Sequence, residues 1–235
     1  MRTLVSIGTY NEAENIVPLV EAVLKAAPGV DLLVIDDSSP DGTGRLADDL
    51  AQCRSGMHVV HRPGKMGLDT AIREGFAFAL ARGYDLLVTI DADFSHDPMH
   101  LPALIAQAET SDVVVGSRRV HGGRAVDWTI GRRAISFAVN EYARRLLHSS
   151  ILDLSGGYNA YRRSAMELLT AKPLVAKGFA AQIELKCRAE RAGLKVKEIP
   201  IVFPDRKRGD SKLTVEIAFQ ALVGILRLAM DLKKY

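Results

Sequence analysis

Asp91-Ala92-Asp93 closes an apolar run over residues 86–90. If the chain turns there, one intervening residue sets two carboxylates near a single point. Two bare carboxylates repel, and one pKa rises. A divalent cation removes that repulsion. Mg²⁺ or Mn²⁺ takes one or two carboxylates, keeps waters, and fills its shell with substrate phosphates. A second acidic pair, Asp36-Asp37, follows the apolar run 32–35. An Asp there can accept hydrogen bonds from a base or a ribose, and we assign this role to Asp37. Ser38-Ser39-Pro40-Asp41-Gly42-Thr43 reads as a turn and helix cap, with Asp41 as the capping carboxylate.

The second half of the chain supplies cations. Arg118 and Arg119 follow the run 113–115. Arg132 and Arg133 precede Ser136, and Arg206, Lys207, Arg208 and Lys212 follow 196–203. A guanidinium presents a planar fork of donors suited to phosphate. Two common phosphate motifs are missing. No Gly-x-Gly-x-x-Gly follows the first run, where Gly8-Thr9-Tyr10-Asn11-Glu12 stands instead. Gly64-Lys65-Met66-Gly67 lacks the spacing and the Ser/Thr of a Walker loop. A nucleotide is expected, but neither NAD nor the ATP of a P-loop protein.

These groups need a frame. Apolar β-type runs at 4–7, 32–35, 59–60, 86–90 and 113–115 alternate with helical spacing over 13–27, 42–52, 68–81 and 98–108. Continuous apolar strands alternating with helices predict an α/β fold with a mostly parallel sheet covered on both faces. Ligands of such sheets sit beyond the carboxyl ends of the strands, where these acidic groups fall. The chain has 235 residues, 48% hydrophobic, which suits one large domain. Its net charge of +3, with no basic block interleaved with aromatics, argues against nucleic acid. Cys53 and Cys187 lack metal-ligand spacing and fit a reducing compartment. The N-terminus has no signal-peptide pattern, and no uncharged apolar stretch of about 18 residues occurs.

Together the motifs resemble glycosyltransferase family two, in its dolichyl-phosphate (polyprenyl-phosphate) mannose synthase branch. The matching segments run in order along the chain: Thr9-Tyr10-Asn11-Glu12, residues 34–43, Gly67-Leu68 with Thr70-Ala71, and residues 91–98. They continue with Gly116-Ser117-Arg118, Gly122-Gly123, residues 153–162, Gln182-Ile183-Glu184 and residues 198–213. Two departures from the common pattern stand out: Gly8 in place of Pro, and Asp69 with Gly157-Tyr158-Asn159. The resemblance implies a GT-A fold with a Rossmann-like sheet. It implies inverting transfer of mannose from GDP-mannose to a polyprenyl phosphate, with Mg²⁺ or Mn²⁺ as cofactor. By position, Gly8, Tyr10, Glu12, Ile35, Asp37 and Ala92 should face the nucleotide. Asp91 and Asp93 should handle the metal-bound diphosphate, with Ser95 as a further polar contact to the metal. Arg118, Arg132 and Ser136 should hold the acceptor phosphate, and Arg206 with Lys212 should close over the donor. UDP-glucose or another nucleotide sugar is the alternative donor. A regulatory protein that binds nucleotide sugars without turnover is the alternative outside catalysis.

His96 invites a role as general base. A phosphate monoester is already an anion at neutral pH and needs no deprotonation, so we read His96 as structural. Residues 1–213 form the expected catalytic domain and 214–235 an amphipathic helix. The polar positions Glu216, Gln220, Arg227, Asp231 and Lys234, with small Gly224 between, recur every three or four residues and form one stripe. Glu216, Arg227 and Asp231 would each cost about 2.5–3.5 kcal/mol near the centre of a spanning helix. The helix is therefore expected to lie on a membrane surface, on its cytoplasmic face, or against a small membrane-protein partner.

Overall fold

The computed structural model describes residues 1–204 and 224–231. Strands β1 (Thr3–Thr9), β2 (Asp31–Asp36), β3 (Met57–His61), β4 (Leu86–Asp91) and β5 (Val113–Ser117) coincide with the five apolar runs. Between them lie α1 (Ala13–Ala26), α2 (Thr43–Gln52), α3 (Leu68–Ala81), a 3₁₀ turn (Pro98–His100) and α4 (Leu101–Gln107). Then follow β6 (Arg124–Ala125), α5 (Ile130–Leu147), β7 (Asn159–Arg162), α6 (Arg163–Thr170) and α7 (Ala180–Arg191). The last strands are β8 (Val196–Pro200) and β9 (Val202–Phe203). Residues 224–231 are helical.

Seven strands form one sheet in the order β3-β2-β1-β4-β7-β5-β8. All neighbours are parallel except β7, which runs antiparallel to both β4 and β5. Successive side chains of a strand face opposite ways. Thus Val5, Leu32, Val34, Leu86 and Val88 pack under Ile16, Leu19 and Val20 of α1 and Leu101 of α4. Their neighbours Leu4, Leu33, Ile35 and Leu87 pack on the other face, with Ile72 and Phe76 of α3 and Leu185 of α7. Coverage on both faces is why these strands read as unbroken apolar runs. A third cluster joins Ala143 and Leu147 of α5, Ile183 and Cys187 of α7, and Ile225 and Leu228.

The carboxyl edge carries local strain. Asn11, Ser38 and Phe94 have φ of 59°, 52° and 59°, and each lies two or three residues beyond β1, β2 or β4. Non-glycine residues take this left-handed conformation only where the surroundings hold it. Here side chains do so. Asp36 accepts from the Thr9 hydroxyl (2.9 Å), the Ser39 hydroxyl (2.6 Å) and the Ser39 N–H (3.0 Å), tying the ends of β1 and β2 to their turn.

Candidate active site

A cleft opens at the carboxyl ends of β1, β2 and β4. Gly8, Tyr10, Glu12, Asp37, Asp91, Ala92 and Asp93 line it, with Arg62, Lys65, Leu68 and Ala71 opposite. Residues separated by more than 80 positions thus meet because β1 lies between β2 and β4, with Gly8 in register with both Ile35 and Asp91. Ile35 does not line the cleft with its side chain, which is fully buried in the core. Arg206 and Lys212 lie outside the described residues.

Asp41 accepts from the Thr43 N–H (3.0 Å) and hydroxyl (2.6 Å), and from the Ala13 N–H (3.0 Å). One carboxylate thereby caps the starts of both α1 and α2. Asp37 is 5% exposed and forms an ion pair with Arg62, and its other oxygen accepts from the Met66 N–H (3.1 Å). Arg62 also donates to the Thr70 hydroxyl (2.6 Å). Arg62 follows β3 as Asp37 follows β2, so the strand-end rule that marks Asp37 marks Arg62 as well. The Lys65 ammonium stands 4.4 Å from the centre of the Tyr10 ring.

The acidic turn is tightly built. Asp93 accepts from the Ser95 N–H (3.1 Å) and hydroxyl (2.6 Å) through one oxygen. Ser95 is 2% exposed, so its hydroxyl orients Asp93. The Asp91 N–H donates to His96 Nδ1 (3.0 Å). His96 is buried, stacks on Tyr158 at 4.9 Å and meets the edge of Phe203 at 5.3 Å. Burial lowers its pKa, outweighing the Asp91 and Asp93 charges, which raise it. A neutral imidazole that accepts a backbone hydrogen bond is a brace for the turn. Among the described residues no three His, Cys, Asp or Glu side chains gather to hold a metal. That arrangement does not fit a closed zinc centre. Two carboxylates at an open cleft do fit a hard divalent cation completed by phosphate oxygens.

The cations form a second cluster beside the first. Arg118 and Arg132 stand over the Trp128 ring, at 5.6 and 4.2 Å from its centre. Arg119 donates to the Ser136 carbonyl (2.9 Å) and hydroxyl (3.2 Å). The structure therefore brings Arg118 and Arg132 to one ring, and ties Ser136 of α5 to Arg119, the neighbour of Arg118. Trp128 and Phe203 meet edge to face at 5.6 Å, and Phe203 touches His96, so a chain of aromatic rings links the acidic turn to the cations.

Arg118 is not a free fork. Its Nε and Nη2 donate to the two oxygens of Asp153 at 2.8 and 2.7 Å, and Nη2 also donates to the Ser155 hydroxyl (2.9 Å). Asp153 is fully buried. Burial raises its pKa, but the Arg118 charge and hydrogen bonds outweigh this and hold it far below the carboxylate range. Lys186, also fully buried, donates to the Leu154 (2.9 Å) and Gly156 (2.5 Å) carbonyls. Burial pushes its pKa down to about 8, although the Asp153 charge opposes this. Glu198 accepts from the N–H groups of Leu152 (2.7 Å) and Asp153 (2.9 Å). The loop before β7 is thus pinned at nearly every residue, next to both clusters.

Residues 5–169 match the family model of Glycosyl transferase family 2. The chain belongs to this family of sugar-transferring enzymes. Within it, the chain is 41% identical over 227 residues to the undecaprenyl-phosphate mannosyltransferase of Micrococcus luteus, covering 97% of this chain and 93% of that one. It is 45% identical over 215 residues to the polyprenol monophosphomannose synthase of Mycolicibacterium smegmatis, covering 91% and 81%. Among solved structures it is similar to glucosyl-3-phosphoglycerate synthase from Mycobacterium tuberculosis, crystallised with Mn²⁺, UDP and glucosyl-3-phosphoglycerate. The TM-score is 0.69 at 22% identity, covering 98% of this chain and 79% of that one. The mannosyltransferase PcManGT from Pyrobaculum calidifontis, in complex with GDP-Man and Mn²⁺, gives a TM-score of 0.64 at 18% identity, covering 98% and 64%. At these identities the solved structures establish the fold, which is of the GT-A type.

Proposed function

We propose that the chain transfers mannose from GDP-mannose to a polyprenyl phosphate, with inversion, releasing GDP. The carrying observation is the pair of relatives, identical at 41% and 45% of positions along nearly the whole chain and named for this lipid mannosylation. The geometry supports it, because an acidic cleft for a nucleotide diphosphate adjoins a cluster of guanidinium groups. An oxygen of the acceptor phosphate attacks the anomeric carbon, and the bond from that carbon to the diphosphate breaks. The attacking oxygen is already anionic, so His96 takes no proton. Asp91 and Asp93 would hold Mg²⁺ or Mn²⁺, which supplies charge neutralisation to the leaving diphosphate when bound. Arg132 and Ser136, with Arg118 through the Nη1 that Asp153 and Ser155 do not engage, would fix the acceptor phosphate against the repulsion of the donor. Incubation with labelled GDP-mannose or UDP-glucose and a polyprenyl phosphate tests the reading. Label should enter the lipid from GDP-mannose. Entry only from UDP-glucose would move the donor assignment, and entry from neither would leave a binding protein.

Arg132→Ala separates the two half-sites. A charge-assisted hydrogen bond contributes about 1.5–3 kcal/mol. The KM for polyprenyl phosphate should therefore rise roughly 10- to 100-fold, while GDP binding stays unchanged. A fall in GDP affinity with acceptor saturation unaltered would remove Arg132 from the acceptor site.

A polyprenyl acceptor stays in the bilayer, so the proposed enzyme works at a membrane surface. No described helix is long and apolar enough to cross a membrane. Ile225 and Leu228 are buried against the domain, whereas Leu226 and Met230 are 47% and 63% exposed. At the start of α5, Ile130 and Phe137 are 87% and 60% exposed, beside Arg132 and Arg133. Apolar side chains flanked by cations suit an anionic bilayer. Cys53 and Cys187 are free thiols, in keeping with the cytoplasmic face. Truncating the C-terminal helix would also strip Ile225 and Leu228 from the core, so point substitutions are the cleaner test. Leu226→Glu with Met230→Glu should abolish flotation with anionic liposomes and activity on long acceptors. Activity on a short, water-soluble acceptor phosphate should survive. Undiminished flotation would show that this face does not meet lipid.

A further inference from the structure

Trp128 is the sole tryptophan of the chain, and Arg132 and Arg118 both stand over its ring, 4.2 and 5.6 Å from the centre. We propose that this ring is a platform that sets the two guanidinium groups for the acceptor phosphate. Trp128 is then a positioning residue of the transfer, acting through the arginines. The inference rests on the proposed lipid phosphate acceptor and adds a residue to its site.

The chain holds the indole on a fixed turn between β6 and α5. Asp127, immediately before it, has φ of 61°. A non-glycine residue keeps that conformation only where its surroundings hold it. Thr129, immediately after it, accepts from the Arg132 N–H (3.3 Å) and caps α5. Long side chains of a helix lean toward its N-terminus, which brings Arg132 in the first turn back over the ring. On the other side, the edge of Phe203 meets the indole at 5.6 Å and 89°. The Arg118 guanidinium also stands over Phe203, 5.1 Å from its centre, so two rings share it.

A buried indole N–H usually finds an acceptor. Trp128 Nε1 is buried and has none among the described residues. Hydrogen bonding therefore does not account for tryptophan at this position, whereas its face does. Of the aromatic rings, indole attracts cations most strongly. Two guanidinium groups at one point repel each other. Asp153 compensates Arg118, and the negative face of the ring offsets part of the remaining repulsion before any anion arrives. An anion bridging the two completes the balance. Donors already in place lose little freedom on binding, so the benefit appears in acceptor affinity rather than in the chemical step.

The test uses the full chain with Mn²⁺, GDP-mannose and a short-chain polyprenyl phosphate. With one tryptophan in the chain, indole emission reports this site alone. Polyprenyl phosphate should shift that emission and saturate it over the same concentrations as transfer. The matching prenol without phosphate should leave it unmoved, and Arg132→Ala should abolish the response. Trp128→Leu should raise the KM for polyprenyl phosphate about tenfold, with kcat and the inhibition constant of GDP within about twofold of wild type. Trp128→Phe keeps a ring face and should recover that KM to within about threefold of wild type. Three results would overturn the platform: unmoved emission in a wild type that transfers mannose, an unchanged acceptor KM or parallel loss of GDP affinity in Trp128→Leu, or a Phe variant no better than the Leu variant. A wild type whose emission answers to the phosphate but which transfers no sugar would overturn the proposed reaction instead and leave the platform standing.

Discussion

Asp93→Asn yields a folded protein whose sugar transfer falls about 10³-fold or more, the loss expected when charge stabilisation at the reacting diphosphate is removed. Asparagine keeps an oxygen for the Ser95 N–H and hydroxyl, which meet Asp93 at 3.1 and 2.6 Å, so the turn persists. What disappears is one of the two carboxylates of the acidic turn, and among the described residues no three His, Cys, Asp or Glu side chains gather to hold a metal in its place. Steady-state transfer at saturating Mn²⁺ measures the loss. Thermal melts distinguish it from unfolding. Mn²⁺ with GDP should raise the Tm of the wild type through binding linkage, and should barely move that of the variant. Activity within tenfold of wild type would remove Asp93 from the metal site.

Asp153→Asn should be the most destabilising single change in the acceptor half. It strands the mostly covered Arg118 and the fully buried Lys186, and breaking a buried ion pair costs about 3–5 kcal/mol. The pH dependence carries a sign. The Asp153 pKa is depressed in the folded state, so its stabilisation is complete above the ordinary carboxylate pKa near 3.8. It is lost as pH falls toward the lower folded value. Lys186 is depressed as well, from 10.5 to about 8. Above pH about 8 it sheds its proton in the native state while the unfolded chain keeps it, so its contribution to stability rises with pH up to 10.5. In Asp153→Asn the unpaired Lys186 is costly at pH 7 and neutral by pH 9.5. Urea unfolding should therefore show a deficit that narrows between those two pH values, leaving the Arg118 share. A deficit independent of pH would mean that Lys186 does not sense Asp153.

The frame was legible because strands covered on both faces have no polar register to interrupt them. All five apolar runs became β1 to β5, and the predicted helix at 68–81 is α3 without change. The same rule placed Asp91, Asp93 and Asp37 at one edge, and the cleft lies there. Distant partners escaped the reading. Arg118 and Asp153 are 35 positions apart, and nothing local marks the carboxylate as the guanidinium's counterion. Strand β7, only Asn159–Arg162, is too short to show alternation. Its antiparallel insertion brings the loop at residues 152–158 to the site, and with it Gly157. Lys186 sits within a helix whose side chains look ordinary in sequence, and only its neighbours in three dimensions reveal a buried charge.

The single reversed strand also works as a ruler. Strand β4, which ends in Asp91, and strand β5, which runs into Arg118, are separated by β7 alone. Neighbouring strands stand about 4.8 Å apart, so their ends are spaced by about 10 Å. That gauge is cut into backbone hydrogen bonds rather than into any side chain or hinge. Loops around the rim can be lengthened, shortened or exchanged, altering which sugar and which lipid are admitted. The span over which donor and acceptor face each other stays the same until the sheet itself comes apart.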